Sequence, residues 1–227
     1  MRRLLLALSL ICIVYSSHTA YGQSLKVPQD RVVRIQGPIE YLRPQIVEFA
    51  MLVVKAPAEP VYVMLDTPGG NVDGGMEFIE VMRAYQRNGG KIVCVAKSAV
   101  SMGMAIYSEC NERYALKTAN ILWHPVRTYT RGPITPKQAK EMYDNLSKLD
   151  EVLWGPTKKA LQVSDKVWQE HYDAETMHTG ESLKKLSPNY LKLIDKVEGA
   201  QFYVFDPLQD LLDQFSDPSV PDEAPAP

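Results

Sequence analysis

Residues 91–103 read KIVCVAKSAVSMG, an apolar run that leads directly into a serine, a methionine and a glycine. Two comparable runs flank it: residues 61–70 read VYVMLDTPGG, and residues 120–125 read NILWHP. Helix-like segments lie between them, so the pattern predicts successive parallel strands with right-handed crossovers. The carboxyl ends of such strands share one edge of a sheet, where open α/β folds bind ligands. The sequence therefore predicts that a glycine turn, a serine and a histidine meet at that edge.

The wider apolar pattern predicts an α/β domain with a mostly parallel sheet, followed by a helical portion. Thr135–Gln138 are typical of a helix start, with a threonine cap and proline at the first position. Gly155–Pro156 are expected to kink or break that helix. The predicted strands are 31–35, 61–65, 91–96, 113–116 and 120–124. The other predicted helices are 41–55, 72–87, a short helix from Ser101, and 157–171. Segments 190–197 and 201–205 are predicted to be short strands or extended segments.

The composition indicates one soluble domain with terminal extensions. The chain has 227 residues, of which 45% are hydrophobic and 23% charged, and its net charge of -2 argues against nucleic-acid binding. The basic start, the apolar run Leu4–Tyr15 and the small polar stretch up to Gly22 predict a secretory signal peptide at residues 1–22. A signal anchor that stays attached is the alternative. Residues 23–205 form the predicted domain, and 206–227 a C-terminal extension that is disordered from about residue 218.

Export follows from the signal peptide, and the bacterial periplasm is the predicted location. No later segment is apolar and long enough to cross a membrane, so no span is expected after cleavage. Cleavage also removes Cys12 and leaves Cys94 and Cys110. Two cysteines in an oxidising compartment can pair. One lies on a strand and the other near the end of the following helix, so a disulfide and two buried thiols both stay open.

The three strand ends carry residues suited to acyl transfer. Paired glycines at 69–70 let a backbone approach a substrate and point amides outward, although a structural turn or a phosphate loop has the same pattern. Ser101 begins a helix, where it is either a nucleophile or a helix cap, and Ser98 is a competing candidate. His124 is either a general base for the serine or a packed side chain. No metal or cofactor is predicted, because His171 and His178 share no ligand spacing with His124.

Together these residues resemble the Clp protease proteolytic subunit over roughly residues 31–198. The resemblance implies the ClpP/crotonase fold, a stack of β-β-α units, and a serine protease with Ser101 as nucleophile and His124 as base. The amides of Gly70 and Met102 would form the oxyanion hole. The matching motifs are Arg34-Ile35-x-Gly37-Pro38-Ile39, Thr67-Pro68-Gly69-Gly70-x-Val72, Ser98-Ala99-Val100-Ser101-Met102-Gly103 and Trp123-His124-Pro125.

The resemblance also implies a triad acid and an oligomer. It places Glu175 in the acid position, with Asp173 as the rival. Residues 136–160 are similar to the helix that joins stacked rings in the family, which implies a homo-oligomer. Three features depart from the family: Lys97 replaces a glycine, Pro125 removes an amide that pairs with substrate, and the N-terminal segment that engages an ATP-driven unfoldase is nearly absent. No unfoldase partner is therefore expected.

The sequence predicts an exported serine peptidase that acts on peptides or unfolded proteins. The first alternative is a catalytically weak or inactive binding or scaffold protein with the same fold. The second is a serine–lysine enzyme similar to signal peptide peptidase A, with a lysine near residues 137–148 as base. The third, a crotonase-type acyl-CoA enzyme, does not need the serine–histidine pair.

Overall fold

The computed structural model describes residues 23–202. These residues contain eight strands, six α-helices and one short 3-10 helix at Gln29–Arg31. The strands are β1 (Ser24–Val27), β2 (Val32–Gln36), β3 (Val61–Thr67), β4 (Ile92–Val100), β5 (Glu112–Leu122), β6 (His178–Thr179), β7 (Lys192–Ile194) and β8 (Lys196–Gly199). The helices are α1 (Arg43–Lys55), α2 (Val72–Arg87), α3 (Met102–Ser108), α4 (Pro136–Leu161), α5 (Asp165–Asp173) and α6 (Gly180–Leu186).

The main sheet has the strand order β2-β3-β4-β5-β6, and β7 also pairs with β5. All of its pairings are parallel except that of β5 with β6. A smaller parallel pair joins β1 to β8. The predicted α/β fold with a mostly parallel sheet and a helical C-terminal portion is confirmed. The predicted signal peptide and the C-terminal extension lie outside the described residues.

The apolar runs of the sheet are buried on both faces, as expected for parallel strands between other layers. Val63 and Leu65 of β3 belong to the large core, which α1 and α2 complete with the ring pair Phe49 and Phe78. Met64, which lies between Val63 and Leu65 in the strand, faces a smaller core on the opposite side of the sheet. This two-residue alternation fixes which side chains each face receives. No helix in residues 23–202 has the length and apolar character that a membrane span requires.

One predicted division of a strand is wrong, and the predicted kink or break at Pro156 is not a break. Residues 113–116 and 120–124 are not separate strands but fall on the single strand β5, which ends at Leu122. Its pairing with β4 shifts register instead, so that Ala96 lies opposite Ala115 and Ser98 opposite Asn120. Pro156 does not break α4, because residues beyond it are held by tertiary packing, which outweighs a local helix preference. Thr157 is fully buried there and donates to Ser108 Oγ over 2.9 Å.

The C-terminal portion differs from the expected pattern in smaller ways. The predicted helix 157–171 is two helices, because Gln162 adopts a left-handed conformation (φ 54°) that ends α4. The predicted segment 190–197 contains β7 and the start of β8. Of the predicted segment 201–205, residues 203–205 lie outside the described residues.

Cys94 and Cys110 are joined by a disulfide, with their Cα atoms 5.8 Å apart. Cys94 lies in the middle of β4, and Cys110 follows α3. Both residues are buried in the large core. The bridge therefore encloses the chain from β4 through α3, which includes Ser101.

Candidate active site

Ser101 lies on a sharp turn between β4 and α3. Its φ of 56° is in the left-handed region, which costs a non-glycine residue about 1–3 kcal/mol. The Ser101 amide donates to the Leu122 carbonyl of β5 over 2.9 Å, which helps hold the turn. Its side chain makes no capping hydrogen bond to the helix. Ser101 therefore occupies the N-cap position of α3 without capping it through its side chain, and the hydroxyl is available for another contact.

The glycine turn after β3 packs directly against the serine turn. Gly69 has a φ of +87°, and a Cβ atom there would lie 2.5 Å from the Val100 carbonyl oxygen and 2.6 Å from the Ser101 Cβ. Only glycine fits this position without displacing one of the two turns. The Gly69 amide donates to Thr67 Oγ1 over 3.0 Å, and its carbonyl accepts from the Ile39 amide over 2.8 Å. These bonds fix the next residue, Gly70, beside the serine.

The imidazole of His124 is in hydrogen-bond contact with the serine hydroxyl. The distance between His124 Nε2 and Ser101 Oγ is 2.8 Å. The other ring nitrogen, Nδ1, lies 2.7 Å from the carbonyl oxygen of Pro125. Because a carbonyl can only accept, the proton is on Nδ1, and Nε2 presents a lone pair to the hydroxyl. That is the tautomer a general base needs.

The two predicted acids do not hydrogen-bond to this imidazole. Glu175 is paired with the guanidinium of Arg127, and this hydrogen bond holds the pKa of Glu175 below its ordinary value. Asp173 is exposed and accepts from Gln169 Nε2 over 2.8 Å. The structure therefore brings together Ser101 and His124 but leaves the acid position without a carboxylate in contact. The Pro125 carbonyl, which the sequence analysis did not consider, takes that place.

Gly70 and Met102 line the same small cavity as the serine and the histidine. The cavity has a volume of about 200 Å³ and includes Gly70, Ser101, Met102 and His124 in its walls. Within residues 23–202, neither the Gly70 nor the Met102 amide has a hydrogen-bond acceptor. Free donors next to a nucleophile are what an oxyanion hole requires. The remaining residues of this cavity, the serine pocket, are Val72, Val126, Arg127, Tyr129, Leu153 and Trp154.

The serine pocket also contains residues that the sequence analysis did not single out. Arg127 and Tyr129 lie on the polar segment between β5 and α4, and Leu153 and Trp154 lie on α4. A polar loop after a strand end is a weak signal for a binding site. Leu153 is an apolar residue of α4, and an apolar residue in a helix predicts burial but not which cavity the side chain lines.

Ser98, Lys97 and Lys140 have other partners. Ser98 Oγ donates to the Thr67 carbonyl over 3.1 Å, and Lys97 forms an ion pair with Asp66 at 2.7 Å. Of the lysines considered for a serine–lysine enzyme, Lys140 pairs with Asp144 on the same helix. The hydroxyl of Ser101 contacts an imidazole instead. In residues 23–202, no cluster of three or more His, Cys, Asp or Glu side chains is arranged to hold a metal ion.

An aromatic cluster packs around Trp123, the residue before His124. Trp123, next to His124, stacks on Trp168 of α5 and on His178 of β6, with ring centroids 5.4 Å and 5.0 Å apart. Trp123 is almost completely buried. The strand end that carries His124 is therefore anchored by stacking on two later elements of the chain.

These features define an α/β protein with a serine–histidine pair and free amides at the carboxyl edge of a parallel sheet. A family model for Clp protease matches residues 16–185. The chain belongs to the Clp protease family. The ATP-dependent Clp protease proteolytic subunit of Streptococcus suis (strain 98HAH33) is 26% identical over 167 residues, which cover 70% of this chain and 80% of that relative.

Proposed function

We propose that the chain is an exported serine peptidase that cleaves peptides or unfolded proteins without an ATP-driven unfoldase. The single observation that carries the proposal is the 2.8 Å contact between Ser101 Oγ and His124 Nε2. Membership in a peptidase family and two free amides beside the hydroxyl support it. The roles of Ser101, His124, Gly70 and Met102 are part of this proposal.

In the proposed reaction, Ser101 Oγ attacks the scissile carbonyl carbon while His124 Nε2 accepts the hydroxyl proton. The carbonyl oxygen becomes an oxyanion that the Gly70 and Met102 amides stabilise. The C–N bond breaks as the imidazolium returns its proton to the leaving amine, which leaves an acyl ester on Ser101. Water, deprotonated by His124, then hydrolyses the ester and releases the acid product.

The Pro125 carbonyl has a defined part in this scheme. This carbonyl keeps the Nδ1 proton in place. It stabilises the imidazolium cation only through its dipole, because it carries no net charge. A carboxylate stabilises the cation more strongly. A serine–histidine pair whose imidazole contacts a carbonyl is therefore expected to give a lower turnover rate than one whose imidazole contacts a carboxylate.

The exported setting rests on the N-terminal pattern and on the disulfide. Residues 1–22 have the basic, apolar and small-residue regions of a secretory signal. A disulfide between Cys94 and Cys110 suits an oxidising compartment. Outside the cytoplasm ATP is scarce, which is why no unfoldase partner is proposed. Mass spectrometry of the secreted chain tests this setting. We expect Gln23 to be its first residue. Retention of the full-length chain in the cytoplasm would contradict the exported setting.

A fluorophosphonate probe tests the catalytic proposal. We expect the purified chain to be labelled and the label to map to Ser101. Ser101→Ala should abolish labelling, whereas the matched variant Ser98→Ala should keep it. An unlabelled wild-type chain, or labelling that survives Ser101→Ala, contradicts the proposal.

One observation favours a second candidate, a scaffold protein with little turnover. Glu175 is engaged by Arg127 and not by His124. If the chain binds peptides but is not labelled, the scaffold function is correct.

A further inference from the structure

A second groove adjoins the serine pocket between α4 and α5. It has a volume of about 450 Å³. Three aromatic residues, Trp154, Trp168 and Tyr172, and two acids, Asp150 and Glu151, lie in its walls. The other lining residues are Ser147, Gly155, Lys158 and Gln169. We refer to this set as the α4–α5 groove.

The two acids of the α4–α5 groove lack a cationic partner. Among residues 23–202, no lysine or arginine forms an ion pair with Asp150 or Glu151. Asp150 is half-buried, and burial raises its pKa, while the hydrogen bond that it accepts from the Val126 amide over 2.9 Å and the nearby His124 imidazole oppose this effect. The one lysine of the groove, Lys158, is paired with Asp165 at 2.8 Å. The groove therefore has uncompensated negative charge.

The aromatic walls of the groove also suit a cation. Trp168 stacks on Trp123 and on Tyr172, with ring centroids 5.4 Å and 5.9 Å apart, so within the described residues Trp154 is the aromatic wall without a stacked partner. Tyr172 is 8% exposed, and its Oη is buried without a hydrogen-bond partner in the described part of the chain, so it can accept a hydrogen bond from a cationic side chain. Trp154 Nε1 is also unpartnered in these residues, but an indole N–H can only donate. Lysine and arginine side chains gain energy from aromatic faces as well as from carboxylates.

The α4–α5 groove and the serine pocket share a wall. Trp154 lines both of them. Val126 lines the serine pocket, and its amide is the group that binds Asp150 in the groove. A peptide chain with its scissile bond at Ser101 therefore has the groove beside it, within reach of a long side chain.

We propose that the α4–α5 groove is a substrate subsite that binds a lysine or arginine side chain of the peptide held at Ser101. The inference rests on the proposed peptidase function, because it takes the occupant to be part of the substrate. Uncompensated carboxylates and aromatic faces attract a basic side chain and disfavour an acidic one. A purely apolar side chain leaves the acids without a partner.

Peptide binding to the full-length Ser101→Ala chain tests the inference without requiring turnover. Two sets of capped peptides are compared by calorimetry, identical except that lysine or norleucine occupies each position in turn. At one position we expect lysine to bind about tenfold more tightly, the gain typical of one cation–π contact with a charge-assisted hydrogen bond. The preference should weaken in high salt.

Charge-neutralising variants locate that preference. Asp150→Asn/Glu151→Gln, in the Ser101→Ala background, keeps the shapes and should reduce the ratio of lysine to norleucine affinity to about one. The matched control is Glu141→Gln, which removes the same charge from an exposed position of α4 outside the groove and should leave the ratio unchanged. The ratio is the readout, so a general loss of affinity does not imitate the result.

Equal affinities at every position overturn the inference, as does a lysine preference that survives the double variant. If the double variant instead changes the oligomer mass by light scattering and no preference exists, a second copy of the chain covers the groove and the subsite does not exist. Fluorophosphonate labelling of the wild-type chain reports on the peptidase function separately. A labelled chain with equal affinities keeps the proposed function and loses this inference.

Discussion

The carboxylate of Glu175 is bound to Arg127, although the sequence places Glu175 in the position of a triad acid. Arg127, the cation of this pair, lines the serine pocket. The imidazole of His124 is oriented by the Pro125 carbonyl instead of by this carboxylate. The residue that the family resemblance places in the acid position is thus engaged by a neighbouring cation.

Glu175→Gln should therefore have a small effect on catalysis. The Nδ1 proton of His124 already has an acceptor in Pro125, so we expect kcat/KM to fall by less than about tenfold, whereas loss of a triad acid costs about 10⁴-fold in kcat. The measurement is peptide hydrolysis or the rate of fluorophosphonate labelling. Asp173→Asn is the control, since Asp173 contacts Gln169 instead. A thousandfold loss in Glu175→Gln alone would show that Glu175 moves to His124 during turnover.

The sequence was sufficient to predict where Ser101 and His124 meet, because parallel strands place their carboxyl ends together. It was not sufficient to predict the partner of Nδ1. That contact depends on the path of the chain just after His124, and a main-chain carbonyl has no side-chain signature. The same limit applies to Arg127, whose pairing with a residue on a distant loop follows from tertiary structure and not from local pattern.

The two differences in element boundaries also have a tertiary cause. A proline inside a helix pattern predicts a break, but α4 continues because Leu153 and Trp154 before Pro156 and Leu161 after it are all buried. Lys117 and Thr118 interrupt the apolar pattern of the long strand β5, so the pattern predicts two strands where the structure has one. Those residues lie in the part of β5 where the pairing with β4 shifts register.

Gly69→Ala should impair catalysis through the glycine turn. An added Cβ would lie 2.5 Å from the Val100 carbonyl oxygen, so the turn must shift and move the Gly70 amide away from the oxyanion position. We expect labelling to slow by at least about 100-fold, the cost of one lost oxyanion donor. Gly89→Ala is the matched control: its φ is +82°, and a Cβ there meets open space. Equal labelling rates for the two variants contradict the proposed role of the turn.

Reduction of the disulfide should lower stability. The cysteines are separated by 16 positions, and the loss of a crosslink of about this length corresponds to about 3 kcal/mol in the free energy of unfolding. Urea unfolding with and without reductant measures the difference. The variant Cys94→Ala/Cys110→Ala, for comparison, should be insensitive to reductant. If reductant leaves the wild-type midpoint unchanged although thiol titration shows two free cysteines, the bridge does not stabilise the fold.

Arg31→Met should destabilise the edge of the core. The Arg31 side chain is 3% exposed and donates to main-chain carbonyls that include those of Leu52, Ala56 and Glu59. Methionine fills similar space but leaves these buried acceptors unpaired, so we expect a loss of about 2–4 kcal/mol in the free energy of unfolding. Lys55→Met is the control, because that exposed cation only pairs with Asp30 and should cost less than about 1 kcal/mol. Similar losses in the two variants would contradict this account of Arg31.

His178 should make the fold sensitive to acid. Burial, and the nearby His171 imidazole, lower the pKa of His178 to about 4. In the unfolded chain its pKa returns to about 6.5. Between about pH 6.5 and 4 the unfolded state binds a proton that the folded state does not, so the free energy of unfolding falls as the pH falls, by up to about 3 kcal/mol in total. Above that window the group contributes no pH dependence.

The variant His178→Phe isolates this contribution, because it keeps a flat ring against Trp123 but cannot bind a proton. Urea unfolding of both chains is measured at several values between pH 7 and 4. The carboxylates titrate in both chains, so their effect cancels in the difference between the two curves. We expect that difference to change progressively across the window in favour of the variant at low pH. If the two chains lose stability in parallel, His178 is charged in the folded state and the aromatic cluster behind His124 tolerates the cation.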